Sequence, residues 1–250
     1  VIADLLRALQ LLTVLPVRPR WDKSVPPGRA MAAFPLVGVL LGITLGVLSL
    51  LLRETGLHRV APFLPSALVV TAWAMLTGGL HLDGWADCCD ALFVPVTRER
   101  RLDILRDPRV GSFGVVGLVL LLLIKFAAIP INLQPLGVFR LLIVAPVLGR
   151  WAMVMAALHF PLARDEGMAF HFCQGAGRRE VFLATLTTVF VCVFAGAVGV
   201  AAFFASVLVM LTFARWASAR LGGLTGDVYG AIVELVETIT LVVGAFASSA

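Results

Sequence analysis

Apolar residues run along this chain in long unbroken blocks, and polar residues gather in short segments between them. The blocks at 30–52, 63–82, 113–131, 139–158, 181–198, 200–216 and 228–247 each have roughly the 17 to 25 residues with which a helix spans a hydrocarbon core. They predict an all-α, polytopic integral membrane bundle of about seven transmembrane helices. The fifth and sixth blocks form one tract, broken near Gly196 and Gly199. Ahead of them, residues 4–15 set Leu5, Leu9 and Leu12 at helical spacing but stop at Pro16, which predicts an N-terminal helix lying in the interface. No interval between blocks is long enough for a soluble domain, so residues 1–250 read as a single transmembrane domain.

Composition agrees with that pattern: 60% of residues are hydrophobic and 14% charged, a balance foreign to soluble domains. The net charge of +5 does not point to nucleic acid, because the basic residues are scattered through short loops with no interleaved aromatic patch. With seven spans and the N-terminus inside, fifteen lysines and arginines, clustered at 7–29, 98–109, 164–179 and 215–220, fall on one side, against Arg53 and Arg59 on the other. That is a positive-inside distribution. No secretory signal peptide is expected from the first segment. The four cysteines, Cys88, Cys89, Cys173 and Cys192, form no CxxC pair and read as reduced thiols. In the first span Gly38, Gly42 and Gly46 recur every four residues, a face suited to close helix contact.

Chemistry concentrates in three places. In GGLHLDGWADCCDAL, residues 78–92, a helix continued past the second span puts Asp83, Asp87 and Asp90 at i, i+4 and i+7, inside an arc of about 60°. Carboxylates so close repel one another, and a hard divalent cation, Mg²⁺ or Mn²⁺, answers that repulsion while leaving ligand positions for phosphate oxygens. A solvated acidic loop, or salt bridges to nearby arginines, is the plainer alternative. On the same wheel His81 falls opposite and reads as interfacial. In RDPRVGSFG, residues 106–114, Arg106 and Arg109 precede a glycine-rich helix start, a combination suited to phosphate as well as to ordinary positive-inside flanking.

The third place is GGLTGDVYGAIVELVE, residues 222–237. Glu234 and Glu237 lie about 10 and 15 Å further along the helix than Asp227. The same arithmetic puts Arg150 about 12 Å and Lys125 about 18 Å below the cytoplasmic ends of their spans. Ionisable groups at such depth are functional candidates. The two open readings are a polar cavity opening to the cytoplasm with the aspartates at its rim, and a purely structural ion-pair network.

These three blocks, with LLTVLPV near the N-terminus, FPLVGVLLG in the first span and EGMAFHF at 166–172, resemble the cobalamin synthase family, the adenosylcobinamide-GDP ribazoletransferases. The resemblance covers nearly the whole chain in order. Trp85, Cys88, Cys89 and Ala91 depart from the family pattern, while every acidic position of that block remains. The resemblance implies a multi-pass enzyme of the bacterial inner (cytoplasmic) membrane, its active site facing the cytoplasm, acting late in corrinoid synthesis. It would join adenosylcobinamide-GDP to α-ribazole or its 5′-phosphate, release GMP and use Mg²⁺.

On that reading a ribose hydroxyl attacks the corrinoid-side phosphorus. Asp83, Asp87 and Asp90 hold metal, Asp90 is the leading general base with Asp227 or Glu234 in reserve, and Arg106 and Arg109 clamp phosphate. Lys125, Arg150 and Glu237 shape the cavity that binds substrate. Association as a homo-oligomer stays open. A CDP-alcohol phosphotransferase also fits clustered aspartates, but no AR follows the DG at 83–84. An ion-coupled transporter would instead make Lys125, Arg150, Glu234 and Glu237 a translocation path.

Overall fold

A computed structural model describes residues 2–19, 25–129 and 134–247. Arg20 and Lys23 of the first basic cluster, and the end of the third apolar block at 130–131, lie outside the described residues. The chain forms helices α1 (Ile2–Leu12), α2 (Phe34–Glu54, entered through a 3-10 turn at Pro27–Ala33), α3 (Leu57–Val60), α4 (Leu64–Thr77), α5 (Leu80–Leu92) and α6 (Arg98–Ile104). It continues with α7 (Ser112–Ala128), α8 (Pro135–His159), α9 (Met168–Cys173), α10 (Arg178–Phe194), α11 (Ala197–Leu221) and α12 (Gly226–Ala247). Among the described residues there is no strand, only an isolated bridge between Leu162 and Leu224. The all-α membrane fold is as expected.

Helices stand at all seven expected positions, but length and apolarity do not confirm seven full spans. By length and apolarity four helices among the described residues suffice to cross a membrane: the turn plus α2, then α8, α11 and α12. Counting α4 and α5 as one bent span gives five, and α7 is a shorter apolar helix. The second block is cut by Gly78 and Gly79, whose φ values of 62° and 70° lie in the left-handed region that only glycine adopts cheaply. There the chain bends by 92°. α5 therefore does not prolong α4, and helical-wheel positions cannot be carried across the bend. The break in the long fifth-to-sixth tract falls where expected, at Gly196 between α10 and α11.

α8 and α12 form the centre. α8 is buried along almost its whole length, as expected of a helix apolar on every side, and it packs most extensively on α2 and then on α12. The glycine face of α2 makes the first contact: Gly38 meets Pro146, Gly42 meets Ile143, and Gly46 meets the Phe139 ring. α12 also lies against α5, α11 and α7. α1 packs on the 3-10 turn and α2 through buried Ala8, Leu9 and Leu12.

Two arginines of α6 act as caps. Buried Arg101 donates to the Ala91 and Leu92 carbonyls at the end of α5 (2.5 and 3.0 Å), and Arg98 donates to the Leu221 carbonyl at the end of α11 (2.7 Å). Cations at helix C-termini satisfy orphan carbonyls and complement the helix dipole. The departures from the family pattern fill space: Cys88 and Ala91 are fully buried, and Trp85 donates to the Gly117 carbonyl of α7 (2.9 Å). All four cysteines are free thiols.

Candidate active site

Glycines set the site by letting backbones meet. At Gly84 a Cβ would stand 2.7 Å from the Asp227 carbonyl oxygen, and Gly230 lies against the backbone of His81 and Gly84. The start of α12 thus nests on α5, and Asp227 joins the aspartates of α5. Asp83, Asp227 and Asp90 all lie near enough to Asp87 to repel it. Asp83 is exposed, while Asp87, Asp90 and Asp227 are half-buried.

The turn before α12 is held from outside. Leu224 and the segment after α8 exchange backbone hydrogen bonds, Ala163 N–H to Leu224 O (2.9 Å) and Leu224 N–H to Pro161 O (2.8 Å). That pairing carries Arg164 into electrostatic reach of Asp227, and its guanidinium donates to the Leu102 carbonyl (2.5 Å). In sequence Arg164 is one of many loop cations. Nothing local distinguishes it; only the bridge to Leu224 brings it to the site.

Asp90 is placed differently from its neighbours. Its carboxylate accepts from the Gly111 and Gly114 amides (2.7 and 2.9 Å) at the start of α7, where free N–H groups and the helix dipole favour a negative group. Any Cβ at Gly111 or Gly114 would collide with it. This geometry argues against Asp90 as the expected leading general base, because a carboxylate already holding two donors is a poor proton acceptor. Asp227 accepts from the Thr225 hydroxyl (3.1 Å) and from its own backbone amide.

The expected polar cavity around the deep charges is also corrected. Lys125 donates to Glu234 (2.5 Å) and Glu237 (2.6 Å), Arg150 pairs with Glu237, and Lys125 sits over the Trp73 ring at 4.8 Å. Two cations and two anions neutralise each other, each at most 4% exposed, beside a void of only about 10 Å³. This is the structural ion-pair network. Glu234 is committed to Lys125, which removes it from the reserve of general bases.

His81 overturns its own reading. Instead of lying interfacially it is 1% exposed, with Nδ1 at 3.5 Å from the Arg150 guanidinium. The wheel itself holds, because His81 and the three aspartates share α5; the face opposite the aspartates packs on α12 and Arg150 instead of lying in the interface.

Arg106 and Arg109 sit at the surface. Arg106 pairs with Glu166 and Arg109 with Asp107 (2.6 Å), and hydrogen bonds from Arg109 hold the Asp107 carboxyl below its usual range, at about 2. Exposed pairs of this kind contribute little and exchange readily, so both guanidiniums are open to an arriving phosphate.

A cavity of about 220 Å³ opens between α5, α12, α9 and the first two helices. Asp83 and Asp227 line it together with His81 and Tyr229; the remaining wall is mostly apolar, including Leu12, Phe34, Met153 and Phe172. Asp87, Asp90 and the deep quartet do not line it. Among the described residues no three carboxylates, thiols or imidazoles converge as a metal cage. None of the four site carboxylates is in an ion pair with a described side chain.

Comparisons with known proteins agree over nearly the full chain. The family described as cobalamin-5-phosphate synthase matches residues 4–245. A curated adenosylcobinamide-GDP ribazoletransferase of Pseudomonas savastanoi pv. phaseolicola is 41% identical over 94% of this chain and 95% of its own length. The one of Pseudomonas syringae pv. syringae is 42% identical with the same coverage. A more distant namesake, from Desulforamulus reducens, is 35% identical over 92% of this chain and 91% of its own. No solved structure matches. With family and relatives aligned across the aspartate helix, the glycine turn and the buried quartet alike, the chain belongs to the cobalamin-5-phosphate synthase family.

Proposed function

We infer that the protein carries out the late step of cobalamin biosynthesis named in its relatives, transfer between adenosylcobinamide-GDP and ribazole. The observation that carries this reading is the family match across residues 4–245. A set of carboxylates in no ion pair with a described side chain, two of them lining a cavity, supplies a place for the chemistry. In this reading a hydroxyl of α-ribazole, or of its 5′-phosphate, forms a bond to the corrinoid-side phosphorus, the diphosphate bridge breaks, and GMP leaves with the bridging oxygen. The hydroxyl proton passes to Asp227, which lines the cavity beside Asp83.

Mg²⁺ belongs to this proposal through the chemistry of the donors. Mg²⁺ is commonly held by one or two carboxylates with water and phosphate oxygens completing its shell, which an uncaged pair such as Asp83 and Asp87 provides. When bound it would neutralise charge on the diphosphate and its leaving group. Asp90 contributes by fixing the start of α7, and with it the segment bearing Arg106 and Arg109. These two guanidiniums are the phosphate clamps, with Arg164 adding positive charge at Asp227.

Placement in the bacterial inner membrane with the site toward the cytoplasm follows from the basic loops around α5, α6 and α9, read by the positive-inside rule. The transporter reading loses its path, because Lys125, Arg150, Glu234 and Glu237 are spent on one another. The test is the protein reconstituted in vesicles and supplied with adenosylcobinamide-GDP: GMP release that requires both α-ribazole and Mg²⁺ is the expected result. Solute flux without turnover, or GMP release indifferent to the acceptor, would refute the reading.

A further inference from the structure

The proposed function leaves His81 without a task, although it is the side chain that joins the buried ion network to the cavity. It lines the cavity and is 1% exposed. Its Nδ1 faces Arg150 Nη2 at 3.5 Å, and Arg150 is itself tied to Glu237. A guanidinium can only donate, so Nδ1 is the acceptor and the ring hydrogen sits on Nε2. Nε2 has no partner among the described residues, and a buried donor left unmatched costs about 1–3 kcal/mol. The molecule therefore keeps one unmatched N–H, at a cost, on a side chain that lines an otherwise greasy chamber.

Size and chemistry narrow what that N–H meets. An apolar cavity of about 150 Å³ holds a benzene ring; this one, at about 220 Å³, has room for a fused two-ring system but not for a corrin macrocycle. Guanine has the right size but offers several donors and acceptors along its edges, and most would be left unmatched against Leu12, Phe34, Met153 and Phe172. A benzimidazole joined to its sugar through one ring nitrogen offers a single acceptor, the other nitrogen. One buried donor matches one acceptor, and thioether and aromatic side chains suit the flat faces.

We propose that this cavity seats the benzimidazole base of the acceptor nucleoside, with His81 as the specificity-determining residue that donates Nε2–H to the free ring nitrogen. The proposal rests on the ribazole-transfer reading above. Because Asp83 and Asp227 share the same cavity, a base seated there leaves its ribose at those carboxylates, where the reacting hydroxyl has to be.

The test uses two heterocycles of the same shape, 1-methylbenzimidazole and 1-methylindole, titrated into the full-length detergent-purified protein without nucleotide or metal. The wild type should prefer 1-methylbenzimidazole by about tenfold, the scale of one satisfied buried donor. His81→Leu should erase that preference while still taking up the indole, and His81→Gln, which keeps an N–H donor, should restore part of it. Ala157→Phe, which fills the cavity from α8, should block both heterocycles; it serves as the check if His81→Leu does not fold.

In turnover, His81→Gln should raise KM for α-ribazole without raising that for adenosylcobinamide-GDP. Equal affinities in the wild type, a preference that survives His81→Leu, or unhindered binding to Ala157→Phe would overturn the proposal. If GMP release requires α-ribazole but neither heterocycle binds, the cavity assignment fails and the function stands. If heterocycles bind selectively but no transfer occurs, the function fails instead.

Discussion

Two groups of charge lie close together here and have opposite fates. Lys125, Arg150, Glu234 and Glu237 are buried and complete, each charge facing its opposite. Asp83, Asp87 and Asp227 sit at a cavity mouth and beside it, near enough to repel, with Arg164 the nearest compensating charge and no ion pair formed. Buried charges must be paired to be tolerated at all, so completeness at depth reports the demands of the fold. Incompleteness at an open boundary calls for another explanation, and in the proposed function the missing positive charge arrives with the substrate. Depth in the membrane, which at first sight favours the quartet as the functional group, is the poorer guide; the better one is whether a charge already has its partner.

The difference can be broken most forcefully at the cavity mouth. Asp83→Asn and Asp87→Asn should each lower turnover by roughly 10²–10³, the scale of one preorganised electrostatic contact to a transition state, without shifting the thermal transition. Kinetics beside a melting curve checks this. Lys125→Met should act the other way, destabilising by about 3–5 kcal/mol because Glu234 is left buried and unpaired. Adding Glu234→Leu should recover most of the loss, since Glu237 keeps Arg150; denaturation in detergent reads both.

A smaller effect is expected at Asp90. Asp90→Ala removes the acceptor for two α7 amides and should cost about 0.5–2 kcal/mol, with activity falling only as far as the Arg106–Arg109 segment loosens. The smallest lies at Asp107. Its carboxyl is held at about 2 by Arg109, below its ordinary value, so the pair's contribution is present at neutral pH and is lost only as pH falls through about 2. Asp107→Asn should leave both the melting transition and the pH dependence between 5 and 8 unchanged, as titration of the variant would show.

Much of the architecture was legible because it is local. Block lengths located helices at all seven positions, the four-residue glycine spacing found the face of α2 that meets α8, and the acidic motif pointed to α5. The errors lie where distant parts of the chain meet. Gly78 and Gly79 were in plain view, yet reading the helix through them gave an extra length of span, and the face opposite the aspartates packs His81 against α12 and Arg150, which no local pattern announces. Asp90 was grouped with its neighbours by spacing, whereas its role depends on two amides more than twenty residues away. The pairing of Lys125 with Glu234 spans 109 residues; equal depth hinted at it, but only packing of α7 against α12 decides it. Arg164 had no signal of its own.

The central claim is that the unpaired carboxylates carry the reaction and the paired quartet carries the fold. Its most direct test is Mg²⁺-titrated GMP release by Asp87→Asn beside Lys125→Met/Glu234→Leu, both first shown to be folded. The account predicts a double variant with turnover near wild type and an Asp87→Asn protein that no concentration of Mg²⁺ revives. A folded but inactive double variant, or an Asp87→Asn protein with a normal response to Mg²⁺, would contradict it.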